Sequence, residues 1–209
     1  MRLAIIGATG GTGQELVKQA LASGHSVKVL VRSPEKVTVK HDRLEVVKTD
    51  LFNESAAMLA EKLEGSEVVL SALGNRTLGI TQLYSEGTKQ LVAAVQDARI
   101  KRLLVISSIG TYPTDDEPRW YLWLVRRLLI NTYVDMARAE QFVMDTDDLD
   151  WTIVRPPRLT NGKKTGSYRV ALRYVPKGGI QISRADLADF MLAQVGQDAY
   201  IRQIPTLAY

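Results

Sequence analysis

Short apolar runs alternate with segments of helical periodicity along this sequence. Runs rich in β-branched and aliphatic residues predict strands at 3–6, 26–31, 44–48, 67–71, 102–106 and 151–154. Apolar positions spaced three to four apart predict helices at 12–23, 54–63 and 81–98. Continuously apolar strands are typical of a sheet whose two faces are both covered by helices. The alternation therefore predicts an α/β fold with a doubly wound parallel β-sheet and helices on both faces.

The pattern becomes less regular after Tyr112, where a polar, proline-bounded loop occupies 113–118. The elements predicted beyond this loop are an aromatic helix from Trp120, a helix at 132–144, an outer strand at 168–174, a helix at 185–195 with Ser183 as its N-cap, and a final strand at 200–204. No linker or repeat interrupts the chain. Residues 1–209 are therefore predicted to form one domain, with the substrate-site elements at about 112–184.

The composition is that of a globular protein, with 45% hydrophobic residues, 24% charged residues and a formal net charge of +4. The absence of cysteine excludes disulfides, thiolate catalysis and cysteine-ligated metals, and with only two histidines we expect no histidine-rich metal site. The most apolar run, 120–130, contains two arginines and is far shorter than the ~20 residues that span a bilayer. No secretory signal precedes the first strand, so we expect a cytoplasmic protein without a membrane partner. Acidic residues alternate with the basic ones, so we expect no nucleic acid partner.

A glycine-rich turn joins the first strand to the first helix. Gly7, Gly10 and Gly13 are spaced three residues apart within the segment 7–13. In a βαβ unit, such glycines permit a tight turn, a close backbone approach to a pyrophosphate and close packing of the helix on the strand. The N–H groups at the start of the helix then face the anion. The turn predicts a dinucleotide site in a Rossmann fold.

The end of the second strand predicts which dinucleotide binds. An acidic residue at this place bonds the ribose of NAD, whereas an arginine accommodates the 2′-phosphate of NADP. Arg32 occupies it, with Ser33 and Lys36 close enough to assist, so NADP(H) is the predicted cofactor. The alternative is that Arg32 is a solvated charge and that Glu35 binds the ribose.

Further candidates follow the other strands, because ligands bind outside the carboxyl ends of a parallel sheet. Asp50 and Leu51 can contact the adenine, although Asp50 is equally suited to cap a helix. The small residues after the fourth strand can approach the ribose and the nicotinamide. The cofactor-binding residues predicted from the glycine turn and the strand ends are Gly7, Thr9, Gly10, Gly11, Thr12, Gly13, Arg32, Ser33, Lys36, Asp50, Leu51, Ala72, Leu73 and Gly74.

The usual catalytic pair of this architecture is absent. Alcohol dehydrogenases and sugar epimerases of this type use a tyrosine with a lysine four residues later, which lowers the tyrosine pKa. None of the eight tyrosines has a lysine at that spacing. The sequence therefore argues against chemistry of that kind.

Several segments resemble the atypical short-chain dehydrogenases/reductases, and among them the flavin reductase/biliverdin-IXβ reductase family. The matching segments are 7–13, 29–32, Leu73-Gly74-Asn75-Arg76, Ser85-Glu86-Gly87, Pro156-Pro157, Thr165-Gly166-Ser167-Tyr168, 182–187 and Phe190-Met191-Leu192. The resemblance implies a monomeric NADPH-dependent reductase that acts on a small planar acceptor, either a free flavin or a linear tetrapyrrole. It also implies that Ser108 is the active-site serine and that Arg76, Ser107 and Pro156 contact the cofactor.

One departure from this family concerns the proton step. The histidine that the family carries just after its two prolines is Arg158 here. Hydride transfer to a flavin leaves a delocalised anion that solvent can protonate, so the reaction needs orientation more than a strong acid. Arg158 is then either a partner for an acidic group of the substrate or a solvated loop charge. Ser108 either holds the nicotinamide or a substrate carbonyl in place or merely ends a strand. A quinone reductase and an NADP(H)-binding redox sensor without turnover are the alternative functions. In a flavin reductase, the flavin would be a substrate rather than a resident cofactor.

Overall fold

A six-stranded parallel sheet forms the centre of the molecule. The structure is a computed structural model that describes residues 1–74, 82–112 and 119–209, with the backbone alone for 119–128. The strands of this sheet are β1 (Arg2–Ile6), β2 (Ser26–Val31), β3 (Leu44–Lys48), β4 (Val68–Ser71), β5 (Arg102–Ile106) and β6 (Asp150–Val154). Their spatial order is β3-β2-β1-β4-β5-β6, and every neighbouring pair is parallel. This confirms the predicted doubly wound Rossmann sheet.

Helices cover both faces of the sheet. They are α1 (Gly11–Ala22), α2 (Ala56–Leu63), α3 (Leu83–Asp97), α4 (Arg119–Met144) and α5 (Arg184–Ala193). Successive residues of β1 point to opposite faces, so Leu3 and Ile5 join the core with α1 and α5, whereas Ala4 and Ile6 join the core with α2, α3 and α4. All four side chains are completely or almost completely buried. The apolar strands are therefore explained by two cores, one on each face.

Two small sheets lie beside the central one. β7 (Arg158–Thr160) pairs in parallel with β9 (Gln181–Ser183), and β8 (Arg169–Leu172) pairs antiparallel with β10 (Pro205–Ala208). These strands lie in the C-terminal part, where the sequence pattern is least regular. None of the helices in the described ranges is long and apolar enough to cross a membrane.

Two predicted elements are wrong in this part of the chain. The helix predicted at 132–144 is the second half of the single helix α4, because no glycine or proline between Arg119 and Met144 interrupts it. The final strand predicted at 200–204 is a turn, since Arg202 adopts a positive φ of 54°, and the strand β10 begins only at Pro205. The predicted loop at 113–118 lies outside the described residues.

Candidate functional site

A cleft opens at the carboxyl edge of the sheet, where the strand order reverses between β1 and β4. Its volume is about 400 Å³, within the usual range for small-molecule sites. The residues that line it are Ile6, Gly7, Thr9, Gly10, Leu30, Val31, Arg32, Ser33, Lys36, Thr49, Leu51, Phe52, Ala72, Leu73, Gly74 and Leu83. The fold therefore brings the ends of β1, β2, β3 and β4 to one place, as ligand sites in such sheets require.

The backbone of the glycine turn touches two other segments. Gly7 has a φ of +77°, and a Cβ added there would lie 2.6 Å from the carbonyl carbon of Ala72, at the end of β4. A Cβ added to Gly13 would lie 2.7 Å from the Cα of Ala8. Both separations are far shorter than an ordinary carbon contact. The turn is thus a closely packed cradle of main-chain atoms, with no space for a side chain at these two positions.

The start of α1 presents free amide groups toward this cradle. Gly10 is the N-cap, and the first helical hydrogen bond runs from the Gln14 N–H to the Gly10 carbonyl oxygen at 2.8 Å. The N–H groups of Gly11, Thr12 and Gly13 consequently have no partner within the helix. The first turn contains no acidic residue, and Gly10 offers no capping side chain. This end of α1 is therefore positive and suited to an anion.

Two cations and a hydroxyl stand at the end of β2. Arg32, Ser33 and Lys36 all line the cleft, with Lys36 carried by a short 3-10 turn at Pro34–Lys36. The arginine and the lysine are exposed, so both can reach a ligand. Glu35, the alternative ribose partner, is outside the lining. The arrangement is suited to a phosphate group.

Asp50 closes a turn and is not the N-cap of a helix, which was the alternative to adenine binding. Its Oδ1 accepts from the Phe52 N–H at 3.0 Å, and its Oδ2 accepts from the side-chain amide of Asn53 at 2.9 Å. The Phe52 N–H holds the pKa of Asp50 below its usual value, and Asn53 and the charge of Arg32 act in the same direction. Asp50 closes a turn before α2, whose own N-cap is Ser55. Its neighbour Leu51 lines the cleft, whereas Asp50 itself does not.

Six lining residues were not predicted from the sequence: Ile6, Leu30, Val31, Thr49, Phe52 and Leu83. Thr49 follows β3 directly, so the rule that ligands meet strand ends could have identified it. Its hydroxyl oxygen is buried and has no hydrogen-bond partner among the described residues. A buried hydroxyl without a partner beside an open cleft is a polar group that a ligand can satisfy.

The residues that follow β5 and β6 lie outside the lining of this cleft. Ser107 is buried, with its N–H donating to the Val154 carbonyl at 2.8 Å and its hydroxyl without a partner among the described residues. The Ser108 hydroxyl accepts from the Gly110 N–H at 3.2 Å and caps a 3-10 turn at Ile109–Thr111. Arg76 falls outside the described residues.

Pro156 and Arg158 belong to the segment that follows β6. The carbonyl oxygen of Pro156 accepts from the Ile109 N–H at 3.2 Å, which ties this segment to the turn after Ser108. Arg158 is exposed at the start of β7 and donates to the side-chain amide oxygen of Gln181. The structure thus places Pro156 beside the Ser108 turn and Arg158 on the neighbouring surface.

A buried ion pair supports the same turn, and it was not predicted. Arg155 donates to both carboxylate oxygens of Glu140 at 2.8 and 2.6 Å, and the Thr111 hydroxyl lies 3.1 Å from Glu140 Oε1. The guanidinium carbon of Arg155 is 5.6 Å from the centre of the Tyr112 ring. These contacts join α4, the end of β6 and the turn at Ile109–Thr111.

The residues around the turn after Ser108 offer little acid–base chemistry. Tyr133 packs against Gly110, close to Ser108, and the residue four positions after this tyrosine is Ala137 instead of a lysine. Among the residues that the structure describes, no cluster of three histidine or carboxylate side chains could hold a metal ion. The arrangement can orient a planar molecule, but it lacks a strong proton donor in the usual position.

Comparisons with known proteins agree with this geometry. The sequence model of a family described as NAD(P)H-binding matches residues 7–198. The uncharacterized protein YwnB of Bacillus subtilis is 29% identical over 203 residues, which cover 93% of this chain and 92% of that protein. The oxidoreductase ylbE from Lactococcus lactis has the same fold, with a TM-score of 0.85 at 22% identity over 100% of this chain and 90% of its own. A proposed NADH-flavin reductase from Streptococcus pneumoniae has a TM-score of 0.80 at 25% identity, over 100% and 99% of the two chains.

Proposed function

Because the chain belongs to the NAD(P)H-binding family, we propose that it is an NADPH-dependent reductase that acts on a free flavin or a similar planar acceptor such as a linear tetrapyrrole. The observation that carries the proposal is the convergence of Arg32, Ser33 and Lys36 on the cleft that contains the glycine turn. Family membership gives a nicotinamide dinucleotide as the cofactor class. The two cations at the end of β2 favour the form with a 2′-phosphate.

The residues present fit this cofactor. Gly7 and Gly13 let the turn pack closely against its neighbours, and the first N–H groups of α1 are available to bind a pyrophosphate. Leu51 and Phe52 offer an apolar surface for the adenine, and the Thr49 hydroxyl there has no hydrogen-bond partner within the described ranges. When bound, NADPH supplies the hydride that reduces the acceptor.

The proposed acceptor site lies beyond the end of β4, toward Ser108 and Arg158. Ser108 keeps its O–H available to donate while its oxygen accepts from the Gly110 N–H. Arg158, exposed on β7, can pair with an acidic group of the acceptor. Reduction of a flavin needs no strong protein acid, in keeping with the lack of a tyrosine–lysine pair. The S. pneumoniae relative, a proposed NADH-flavin reductase, supports the choice of a flavin as substrate.

The test is a turnover assay with a matched cofactor variant. Absorbance at 340 nm is followed with NADPH or NADH and with FMN, riboflavin or biliverdin as the acceptor. We expect catalytic consumption of NADPH with at least one acceptor, and Arg32→Ser should lower kcat/KM for NADPH by about ten-fold or more with little change for NADH. A Lys101→Ser variant, on the opposite edge of the sheet, controls for the loss of one charge.

Two outcomes would overturn the proposal. Tight binding of NADPH without consumption of it, for any of the three acceptors, would indicate the sensor function instead. Equal losses with NADPH and NADH in Arg32→Ser would remove the assignment of the 2′-phosphate site.

A further inference from the structure

The side chain of Arg184 lies against the first residue of α1. A Cβ added to Gly11 would lie 2.8 Å from the Cδ of Arg184 and 3.0 Å from its Nε. Gly11 has no positive φ that would require glycine. Its missing side chain is explained by the arginine, which occupies the space where a Cβ would be.

Several contacts hold Arg184 in this place. It is the first residue of α5, whose N-cap Ser183 accepts from the Asp186 N–H at 2.9 Å. The side-chain amide of Gln19, on α1, donates to the carbonyl oxygen of Ala185 at 2.9 Å. The backbone at the start of α5 is thus fixed against α1. At the far end of the side chain, Nη1 of Arg184 donates to Asn161 Oδ1 at 2.7 Å.

The charge of Arg184 adds to the positive end of α1. Amide groups make the N-terminus of α1 positive, and its first turn contains no acidic residue. In the part of the chain that the structure describes, Arg184 has no carboxylate within ion-pair distance. The nearby carboxylate of Asp186 is directed to the amides of Thr165 and Gly166 and to the Tyr209 hydroxyl. A guanidinium therefore faces the positive end of a helix without a counter-charge.

We propose that Arg184 binds the pyrophosphate of the dinucleotide, together with the N–H groups at the start of α1. A guanidinium has five N–H donors in a planar fork, so the bond to Asn161 leaves donors for phosphate oxygens. This inference rests on the proposed function, because it takes the same dinucleotide as the ligand. It adds a cofactor contact from α5, which is far from the glycine turn in the sequence.

The test compares Arg184→Ala with Arg32→Ala by isothermal titration calorimetry. The ligands are NADPH, NADH, ADP and 2′-AMP. ADP has a pyrophosphate but no 2′-phosphate, whereas 2′-AMP has a 2′-phosphate but no pyrophosphate. Arg184→Ala should weaken NADPH, NADH and ADP by about ten-fold or more and leave 2′-AMP unchanged. Arg32→Ala should weaken NADPH and 2′-AMP and leave NADH and ADP unchanged.

A second variant tests whether Gly11 acts through Arg184. Gly11→Ala should displace the flexible end of the arginine and lower ADP affinity in the native background. In the Arg184→Ala background the same change should have little effect, so the two substitutions should be strongly non-additive. A merely structural role of Arg184 would lower the melting temperature without this coupling.

The outcomes separate this inference from the proposed function. Unchanged ADP and NADPH affinities in Arg184→Ala, with normal binding by the native protein, would overturn the role of Arg184 alone. Additive effects of Gly11→Ala and Arg184→Ala would do the same. Absence of NADPH, NADH and ADP binding by the native protein would overturn both proposals. Binding that depends on Arg184 without any turnover would support this inference and contradict the reductase.

Discussion

Substitution of Gly13 by alanine should displace the start of α1 from the sheet. The added Cβ would lie 2.7 Å from the Cα of Ala8, whereas carbon atoms in contact are about 3.5–4.0 Å apart. The shortfall is about 1 Å, and it cannot be relieved by a rotamer change because the obstacle is backbone. Buried residues of α1, among them Leu16 and Val17, would have to move with the helix.

The cost can be estimated from these contacts. Overpacking of this kind costs about 1–3 kcal/mol, and backbone obstacles favour the upper part of that range. Alanine gains about 0.5–1 kcal/mol over glycine within a helix, which offsets part of the loss. We therefore expect a net loss of about 2 kcal/mol in the free energy of unfolding. For a chain of this length, that corresponds to a fall of about 4–8 °C in the melting temperature.

Urea unfolding and calorimetric titration with NADPH measure the two effects of Gly13→Ala. NADPH affinity should fall by about ten-fold or more, because the displaced amides no longer meet the pyrophosphate. Gly196→Ala is the matched control, since a Cβ there would come no closer than 3.9 Å to Met1. Native-like stability and affinity in Gly13→Ala, within the error of the control, would refute the reasoning about the cradle.

Three further predictions concern buried charges away from the cradle. Asp135 accepts from the Tyr84 N–H at 2.9 Å and from the Ser85 N–H at 3.2 Å. Asp135→Ala should therefore lower the free energy of unfolding in urea by about 1–3 kcal/mol and speed hydrogen exchange at the start of α3. Unchanged exchange there would contradict the capping role. Glu140→Gln leaves the Arg155 guanidinium buried without its counter-charge and should lower the free energy of unfolding by about 3–5 kcal/mol. Replacing both residues by methionine should restore much of this stability. An equal loss in the double variant would argue against this explanation. Burial alone would raise the pKa of Asp186, but the groups that donate hydrogen bonds to its carboxylate hold this pKa below the ordinary 3.8. The ionised carboxylate therefore stabilises the fold above pH 3.8, and this stabilisation is lost as the pH falls through the lower pKa of the folded state. In Asp186→Asn, the free energy of unfolding should therefore fall less steeply between about pH 4 and pH 2 than in the native protein, and equal slopes would remove the assignment.

The features that the sequence predicts well are those with a local cause. The bounds of β2, β3 and β5 agree with the predicted strands, because each is a β-branched or aliphatic run bounded by polar or turn residues. Ser183 is the predicted N-cap, since its hydroxyl accepts from an amide only three residues away. The glycine turn and Arg32 belong to the same class of local signal.

The features that could not be predicted depend on distant parts of the chain. The capping of α3 by Asp135 joins residues about 50 positions apart, and the contact between Gly11 and Arg184 joins the two ends of the fold. β10 pairs with β8, which lies more than 30 residues earlier in the chain. The turn before β10 has Arg202 at a positive φ, and no glycine in the sequence marks that position. Such pairings follow from tertiary packing, which overrides local propensity.

The main-chain cradle between Gly7, Gly13 and the end of β4 has a consequence for engineering. Because its surface consists of atoms that every residue shares, the contacts that the turn itself would make to a diphosphate do not depend on side-chain chemistry, and only the proposed contact from Arg184 does. The preference for one dinucleotide would then depend on Arg32 and Lys36 at the end of β2, and the preference for one acceptor on the residues around Ser108. Either of these two regions could then be redesigned while the other is left intact.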